Sequence, residues 1–523
     1  MNATDRRAAT FAALFPCRYL TALVVVCCTA AMAVAQDVTL TSRDGLITLS
    51  GTMESYDGAY YRVKTSYGLL TLDGQGVRCT GPGCPDLTAY IPDLTIAAPT
   101  GTARLWVTLV EAFAERSGYG LQHVVQSDRA FRLILTDPAD GQVLARLGFA
   151  LEGSDQGLAD LQSGKADLAL SLQVLAGLPG SATVIALDAA VPLVARGNPL
   201  AAISLPDLAG VMAGRITNWQ ALGGMDAPIV LHAMMPGAGL QRAVERMLGV
   251  VAAPGTIRHD SAEELADAVA ADPWAIAVTS RAEVGNGKVL ALAGPCAFAQ
   301  IASVQGVKTG DYPMVVPLAL YAPDRPLPLV LRDLLAWIAA PAAEATVRGA
   351  GFVDQGVERI GLEAQGARLA HAISVAGGDD GVGLAGLQAM VAGLAGADRL
   401  TPTFRFDPGG KVLDPAAQGA VTRLARDLEA GLFDGTTLTF AGFSDGSGPA
   451  AVNQRLSRQR AEWVRDAVLA AAPLLDRGRV TLAVAAYGEA LPVGCDDDGP
   501  GSASNRRVEL WVRPAGDGLP GGN

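Results

Sequence analysis

GFSDGSGPAAVNQRLSRQRA, residues 442–461, contains the strand end, the loop and the helix start that organise the C-terminal part of the chain. An apolar strand is predicted over 437–443, a Gly- and Ser-rich loop follows, and the apolar spacing predicts a helix from Pro449 to Ala471. When Leu456 is taken as the centre of the apolar helix face, Trp463, Asn453 and Arg460 lie on the same face. The pattern therefore predicts that the amide of Asn453 and the guanidinium of Arg460 face the core.

Asp445 is the expected partner of Arg460. A guanidinium stays charged at ordinary pH, so an arginine that faces the core needs a carboxylate or a bound anion beside it. Asp445 lies in the loop between the strand and the helix, where both elements converge. The pair could serve only to hold the domain together. It could instead bind a free amino-acid centre, with Asp445 accepting from the ammonium and Arg460 donating to the carboxylate.

Together with Tyr487-Gly-Glu, Pro492 and the run 505–509 (NRRVE), this stretch resembles the C-terminal peptidoglycan-binding domain of the OmpA family. The similarity covers about Arg399 to Pro514. In that family, the Asp after the strand and the Arg of the Leu-Ser-x-x-Arg-Ala motif hold the diaminopimelate of the cell-wall stem peptide. The resemblance implies a peptidoglycan-binding site with these residues: Asp445, Arg460, Asn453, Phe406 and Asp407. Ser444 stands where the family usually has Thr, which keeps the hydroxyl.

The middle of the chain, from about Ile91 to Val353, alternates strands with amphipathic helices, which is typical of an α/β fold. Its length suits two lobes with a cleft between them. The runs 164–171 (GKADLALS) and 214–229 (GRITNWQALGGMDAPI) resemble the periplasmic phosphate-binding proteins of ABC importers, the PstS type. The resemblance implies a two-lobed solute-binding fold that closes on an oxyanion. By this analogy, Thr102 and Ser154 are the candidate anion contacts.

Two departures from that family weaken the anion site. The family's Ser-Gly-Thr loop is replaced by Pro236-Gly-Ala-Gly-Leu240, and Leu172 and Gln173 stand where an Arg commonly follows the Ser of the first run. A site that lacks these donors leaves a desolvated phosphate poorly satisfied. We therefore expect weak or no phosphate binding, and another anion or no ligand at all remain alternatives.

The first 35 residues have the parts of a secretory signal peptide, with arginines before an apolar run and Ala33-Val-Ala35 as the cleavage site. Residues 37–86 alternate in short runs separated by Asp-Gly turns, which predicts a small β-rich unit. Cys79 and Cys84 enclose a tight Thr-Gly-Pro-Gly turn and are predicted to form a disulfide. For Cys296 and Cys495, the sequence allows both a disulfide and two separate thiols.

The chain is thus predicted to be multidomain. It has a small all-β N-terminal unit, a two-lobed α/β periplasmic-binding-protein fold and a C-terminal α+β OmpA-like domain. The expected boundaries are a signal peptide at 1–35, the β-rich unit at 37–86, the solute-binding-like domain at 87–360, a semi-flexible linker at 361–399, the OmpA-like domain at 400–514 and a Gly-rich tail at 515–523.

Composition excludes several functional classes. The formal net charge of -12 and the lack of a basic run disfavour nucleic-acid binding. The four histidines are too far apart in sequence for a histidine-built metal site, and no nucleophile elbow or phosphate-binding loop is present. No enzymatic activity and no cofactor are expected.

The favoured hypothesis is a non-enzymatic periplasmic protein that is tethered to peptidoglycan and presents a phosphate-binding-protein-like module, associated with the cell wall or the outer membrane. The alternative is the solute-binding component for ABC import of phosphate or a related anion. Outer-membrane or ABC-transporter components are candidate partners in either case.

Overall fold

The computed structural model describes residues 37–42, 45–56, 58, 60–74, 76–85, 91–175, 177–294, 297–325, 327–376, 382–406, 413–496 and 499–515. The signal peptide expected at 1–35 and nearly all of the expected tail lie outside these ranges. The chain divides into two compact units, and the smaller one comprises the described residues up to Pro85, apart from a short segment at 57–60.

The smaller unit is a single antiparallel sheet. Its strand order is β4-β3-β2-β1-β5, and its core contains Val38, Leu40, Tyr61 and Val63. A disulfide joins Cys79 to Cys84 with their Cα atoms 5.8 Å apart, which is the predicted pairing. The strands are β1 (Val38–Ser42), β2 (Thr48–Tyr56), β3 (Tyr60–Thr65), β4 (Gly68–Asp73) and β5 (Val77–Thr80).

The larger unit begins with a two-lobed α/β region, here called the module (residues 91–354). Its strands are β6 (Asp93–Ala98), β7 (Gly120–Ser127), β8 (Ala130–Thr136), β9 (Val143–Leu151), β10 (Leu168–Ser171), β11 (Ser181–Val194), β12 (Ala202–Ile203), β13 (Val230–Met234), β14 (Ile257–His259), β15 (Ala275–Ser280), β16 (Lys288–Val289), β17 (Ala291–Gly294), β18 (Ala297–Gln300) and β19 (Val315–Ala322). Its helices are α1 (Ala103–Ser117), α2 (Ser154–Gln162), α3 (Leu205–Met212), α4 (Gly239–Leu248), α5 (Ala262–Ala271), α6 (Val304–Lys308), α7 (Leu329–Ile338) and α8 (Ala343–Gly349).

The long strand β11 belongs to both lobes. Its first part pairs with β19 in the first lobe, whose sheet continues in the order β10-β6-β9-β8-β7. From Ala190 onward it pairs with β15 in the second lobe, next to β13 and β14. The chain returns to the first lobe between Asp311 and β19, so the lobes are joined where these two segments run side by side. We call this region, residues 187–190 and 309–315, the crossover.

The C-terminal domain (residues 359–515) is an α+β fold whose sheet has the order β20-β21-β24-β22-β23. Its strands are β20 (Arg359–Ile360), β21 (Asp398–Arg405), β22 (Thr436–Gly442), β23 (Thr481–Ala486) and β24 (Arg507–Pro514). Its helices are α9 (Gly366–Val375), α10 (Leu384–Leu394), α11 (Pro415–Glu429), α12 (Ala450–Ala471) and α13 (Gly499–Asn505). Within the described ranges, no helix is both long enough and apolar enough to cross a membrane.

The segment expected to be a semi-flexible linker contains two helices that pack on this domain. Leu387, Met390 and Leu394 of α10 and Ala372 of α9 share an apolar cluster with Trp511 of β24. Burial of these side chains stabilises the helices, although the Ala- and Gly-rich sequence has little periodicity. At least the described residues of this segment are therefore part of the folded domain.

Helix α12 begins after Pro449, as predicted, but its buried face differs from the prediction. Leu456 and Trp463, expected on the apolar face, are 38% and 49% exposed. The buried face includes Val464 and the predicted Asn453 and Arg460, and it extends to Ser457 and Ala461. These two small side chains face the sheet because the helix packs closely against β22, so the buried face is rotated about the helix axis from the predicted one.

Five charged side chains form a buried cluster between the module and the C-terminal domain. This charge cluster consists of Asp311, Arg368, Arg399, Arg507 and Glu509, and each is at most 8% exposed. Arg399 donates to Asp311 with an Nη2 to Oδ1 distance of 3.0 Å, and Arg507 donates from Nε to Glu509 at 2.8 Å. Arg368 donates to Glu509 and to Gln365. Asp311 comes from the crossover, and the other four come from α9, β21 and β24.

The pairing keeps the cluster charged. Burial alone would raise the pKa of Asp311, but the positive charges of Arg399 and Arg368 outweigh it and hold that pKa well below the usual range. For Glu509, the same balance of burial against the arginines lowers the pKa to about 2. Breaking a buried pair by removing one partner is strongly destabilising because the other charge is left uncompensated.

We predict that Asp311→Ala lowers the free energy of unfolding by about 3 to 5 kcal/mol, because it leaves the three buried arginines of the charge cluster with Glu509 as their one carboxylate in the cluster. Urea unfolding of the full chain measures this change. Asp434→Ala is the control, since Asp434 pairs with Arg479 at 3.1 Å where both side chains are about 40% exposed. Its loss is expected to cost less than about 1 kcal/mol. Equal effects of the two substitutions would contradict the role of the charge cluster.

Candidate functional site

The groove of the C-terminal domain forms where β22 meets α12. Gly442 ends β22 so close to the helix that a Cβ at this position would lie 1.9 Å from the carbonyl oxygen of Ser457. Only glycine fits there, and this contact brings the loop after β22 onto the side of α12. The loop carries Asp445, and the facing side of the helix carries Asn453 and Arg460.

Asp445 is paired with Arg506 rather than with Arg460. The Nη1 atom of Arg506 donates to Oδ2 of Asp445 at 2.6 Å, and the side chains are 18% and 13% exposed. Arg506 directly precedes β24 and lies within the NRRVE run, but the analysis of the sequence gave it no role in the site. The pair remains partly open to solvent, so the carboxylate can be reached by a ligand.

Arg460 is the contrasting member of the site. It is 7% exposed, and within the described part of the chain its Nε and Nη1 atoms have no hydrogen-bond partner. Burial lowers its pKa, Asp445 counteracts the effect and Arg506 adds to it. An arginine nevertheless remains protonated at neutral pH. The groove therefore holds a buried cation, and two of its nitrogen atoms bind none of the described residues.

The aromatic residues beside Arg460 form an apolar wall. The guanidinium carbon of Arg460 lies 5.7 Å from the ring centroid of Phe406, and Phe406 stacks on Trp463 at 6.2 Å. Trp463 is half exposed, although the spacing in α12 predicted that it faces the core. Asp407, the other predicted residue at this border, lies outside the described residues.

Asn453 is fully buried and is held by polar groups of the loops around it. Its amide donates to Glu489 and to the carbonyl of Gly448, the latter at 3.3 Å. Burial raises the pKa of Glu489, and the nearby Asp496 and Asp445 raise it further, although the bond from Asn453 lowers it. Asp496 accepts from the backbone N–H of Gly446 at 2.8 Å. Asn453 thus supports the loop that carries Asp445.

Arg506, Glu489 and Asp496 were missed by the sequence analysis. Glu489 lies in the Tyr487-Gly-Glu motif and Arg506 lies in the NRRVE run, so both belong to motifs that are visible in the sequence. Their roles depend on long-range contacts, since Arg506 and Asp445 are 61 residues apart. A local periodicity argument cannot find such a pair.

In the module, the structure brings together the segments expected to bind an anion. A Cβ at Gly239, the first residue of α4, would lie 3.0 Å from Oγ of Ser154 and 3.3 Å from Cβ of Pro99. The starts of α2 and α4 and the segment before α1 therefore converge. Helix N-termini of this kind suit anions because their free N–H groups and dipoles point at the ligand.

The two predicted hydroxyls are engaged within the protein. Thr102 donates to the carbonyl of Pro99 at 2.7 Å, and Ser154 accepts from the backbone N–H of Leu172 at 3.2 Å. Both residues are buried. A Cβ at Gly239 would also lie 3.3 Å from the Leu172 side chain. An apolar side chain thus lies at the point where these segments meet.

A carboxylate lies at the start of α1. The Oε2 atom of Glu283 is 3.4 Å from the position that a Cβ on Gly101 would take. Burial, and then the nearby carboxylates of Asp188 and Glu263, raise the pKa of Glu283 to about 7, and Arg104 counteracts them. The start of α1 therefore faces an acidic side chain.

Comparison with known proteins supports the division into two types of domain. Residues 143–343 match the PBP superfamily domain, and residues 405–506 match the OmpA family. The chain is 31% identical over 109 residues to the probable lipoprotein YiaD of Escherichia coli, covering 21% of this chain and 47% of the relative. It is 36% identical over 116 residues to outer membrane porin F of Pseudomonas fluorescens, covering 22% of this chain and 33% of that protein. The chain therefore spans less than half of either relative.

A similar solved structure is the ABC-type phosphate transport receptor from Vibrio cholerae, with 19% identity and a TM-score of 0.40. The similarity covers 50% of this chain and 99% of the receptor. Neither matched family is a family of enzymes. The predicted fold class is confirmed: the chain combines a PBP superfamily domain with a C-terminal OmpA family domain.

Proposed function

We propose that the groove around Asp445 and Arg460 binds the diaminopimelate residue of peptidoglycan and so anchors the protein to the cell wall. The observation that carries the proposal is the buried guanidinium of Arg460, whose Nε and Nη1 atoms have no hydrogen-bond partner among the described residues, while Asp445 pairs with Arg506. Diaminopimelate has an amino-acid centre at the end of its side chain. Its carboxylate would supply the missing partner, and a charge-assisted bond of this kind contributes about 1.5 to 3 kcal/mol.

Asp445 would receive the ammonium of the same centre. In the absence of ligand, its carboxylate is held by Arg506, which neutralises the charge and keeps it in position. Binding then adds a cation beside an existing ion pair, and the carboxylate of the ligand balances the second arginine. Phe406 and Trp463 exclude water from one side of the guanidinium, which strengthens the interaction.

The module is proposed to be a non-enzymatic domain that this anchor holds in the periplasm, near the cell wall or the outer membrane. By name, the two relatives are a probable lipoprotein and an outer membrane porin, which agrees with an envelope location. Envelope proteins, including outer-membrane or ABC-transporter components, are its candidate partners.

We infer that the module does not bind phosphate tightly, so import of phosphate is the less favoured function. The Thr102 hydroxyl donates to Pro99, Leu172 lies at the meeting point of the helix starts, and Glu283 places an acidic group beside Gly101. Of the two predicted hydroxyls, the one on Ser154 accepts from Leu172 and keeps its own proton to donate. A desolvated phosphate would therefore find few side-chain donors there and would be repelled when Glu283 is ionised.

We predict that Arg460→Ala and Asp445→Ala each reduce binding to purified diaminopimelate-type sacculi by at least about tenfold, because each removes one charge-assisted contact. Co-sedimentation measures the bound fraction, and circular dichroism checks that the variants remain folded. Arg458→Ala is the matched control, since Arg458 is an exposed arginine of the same helix. It should bind as the wild type does.

Sacculi whose stem peptides carry lysine in place of diaminopimelate provide a second comparison. Lysine has the ammonium but lacks the carboxylate that Arg460 would bind. Wild-type protein should therefore bind them as weakly as Arg460→Ala binds diaminopimelate-type sacculi. Equal binding to both kinds of sacculi, or full retention of the two groove variants, would refute the proposed anchor.

For the module, we predict that titration calorimetry with inorganic phosphate at pH 7.5 detects no binding tighter than about 100 micromolar, because the donors are missing. A receptor that serves import is expected to bind at micromolar concentrations or below. A sub-micromolar dissociation constant would show that this inference is wrong and would favour the import function.

Glu283 leads to a prediction about pH. Its pKa is raised in the folded chain to about 7 from a usual value of 4.5, so the folded state binds the proton more tightly than the unfolded state. Its contribution to stability is therefore complete below about pH 4.5 and is lost as the pH rises through 7. We expect Glu283→Gln to stabilise the chain at pH 8 relative to pH 5, by on the order of 2 kcal/mol.

Urea unfolding of wild type and variant at both pH values measures this difference. Glu115→Gln, which removes an exposed carboxylate from α1, is the control for the loss of one negative charge. A Glu283→Gln effect that is the same at pH 5 and at pH 8 would contradict the assigned position of the carboxylate.

A further inference from the structure

The C-terminal domain contacts both lobes of the module. On the second lobe, the side chain of Gln300 in β18 donates to the carbonyl of Val493 at 2.6 Å, and Gln300 is 7% exposed. On the first lobe, Arg426 of α11 donates to the carbonyl of Ala339, directly after α7, at 3.2 Å. The C-terminal domain therefore has attachment points on both lobes of the module.

A third set of contacts lies on the crossover between the lobes. Asp311 pairs with Arg399 in the charge cluster, and Arg405 of β21 donates to the carbonyl oxygens of Gly310 and Thr309 at 2.7 and 3.3 Å. The crossover segments are also bonded to each other. The N–H of Ala190 donates to Met314, and the Tyr312 hydroxyl donates to Ala190, both at 2.9 Å.

Two-lobed proteins close around a ligand by changing the backbone dihedrals of a few residues in the segments that join the lobes. Here that change would move Asp311 relative to Arg399, or Gln300 relative to Val493. Either movement separates buried polar groups, and an unpaired buried charge is far more costly than an exposed one. The contacts therefore oppose rotation of one lobe against the other.

We propose that the C-terminal domain is a brace that holds the two lobes at a fixed angle, so that the module does not open and close. The domain is then a structural component of the module as well as an anchor. A braced module presents one constant surface, whereas a receptor that releases its ligand has to open. The brace is independent of the proposed peptidoglycan site, because its contacts lie outside the groove.

Hydrogen–deuterium exchange of the full chain tests the brace. The reporters are the crossover amides of Leu187 and Ala190 and the amide of Val353, which donates to the carbonyl of Leu187. Gln300→Met removes the donor on the second lobe and keeps a similar volume, far from the reporters in sequence. We expect the reporters to exchange about tenfold faster, because loss of a buried contact raises the population of the open state. Gln241→Met is the matched control. It removes another buried glutamine of the same lobe, whose partner is Glu245 within the lobe.

A second substitution acts directly on the crossover. A Cβ at Gly310 would lie 2.3 Å from Nη1 of Arg405, so Gly310→Ala displaces the Arg405 guanidinium and disrupts its contact with the crossover. Gly310 has a φ of +64°, and the strain that alanine adds there is matched by Gly249→Ala, at a φ of +65° with open space around it. Faster exchange of the reporters in Gly310→Ala than in Gly249→Ala is the expected result.

Exchange in β6 and β9 shows whether each variant remains folded. If Gly310→Ala loses protection throughout the chain, the comparison of Gln300→Met with Gln241→Met decides the question. The brace is overturned if the reporters in Gln300→Met exchange at the rate of that control while β6 and β9 stay protected. Sacculus binding is not part of the readout, so failure of the brace and failure of the anchor are distinguishable.

Discussion

Asp311 and Arg399 are so deeply buried that each needs an opposite charge beside it, and this constraint links the two parts of the larger unit. Asp311 lies on the crossover of the module, and Arg399 lies on β21 of the C-terminal domain. Glu509 completes the cluster by pairing with Arg368 and Arg507. Removing one charge leaves another unpaired, so the module, α9 and the central sheet depend on each other.

Successive side chains at the start of β24 point in opposite directions, and this alternation separates the charge cluster from the groove. Arg507 and Glu509 are two residues apart, point to the same face of the sheet and enter the cluster. Arg506, one residue earlier, instead reaches Asp445. Each arginine of the cluster is paired with a carboxylate, whereas Arg460 in the groove pairs with no carboxylate of the described residues. This difference distinguishes charges that maintain the fold from a charge that is available to a ligand.

The sequence predicted the elements, and the position and burial of several groove residues, where the information was local. The spacing in α12 identified Asn453 and Arg460 as buried, and the loop position identified Asp445. The spacing in α12 wrongly placed Leu456 and Trp463 in the core, because the rotation of a helix about its axis depends on the sheet against which it packs. Arg368 could not be predicted as a cluster residue, since α9 has a weak pattern and its partner Glu509 lies 141 residues away.

The module shows why a fold does not determine its ligand. The starts of α2 and α4 still meet near Pro99, so the backbone arrangement of an anion site is present. What it lacks is the side-chain chemistry, since Leu172 supplies no donor and Glu283 supplies a negative charge. Backbone geometry is maintained by the packing of the core, which tolerates changes in the cleft. A cleft with few donors is also consistent with a braced module, because a module that does not open cannot capture and release an ion.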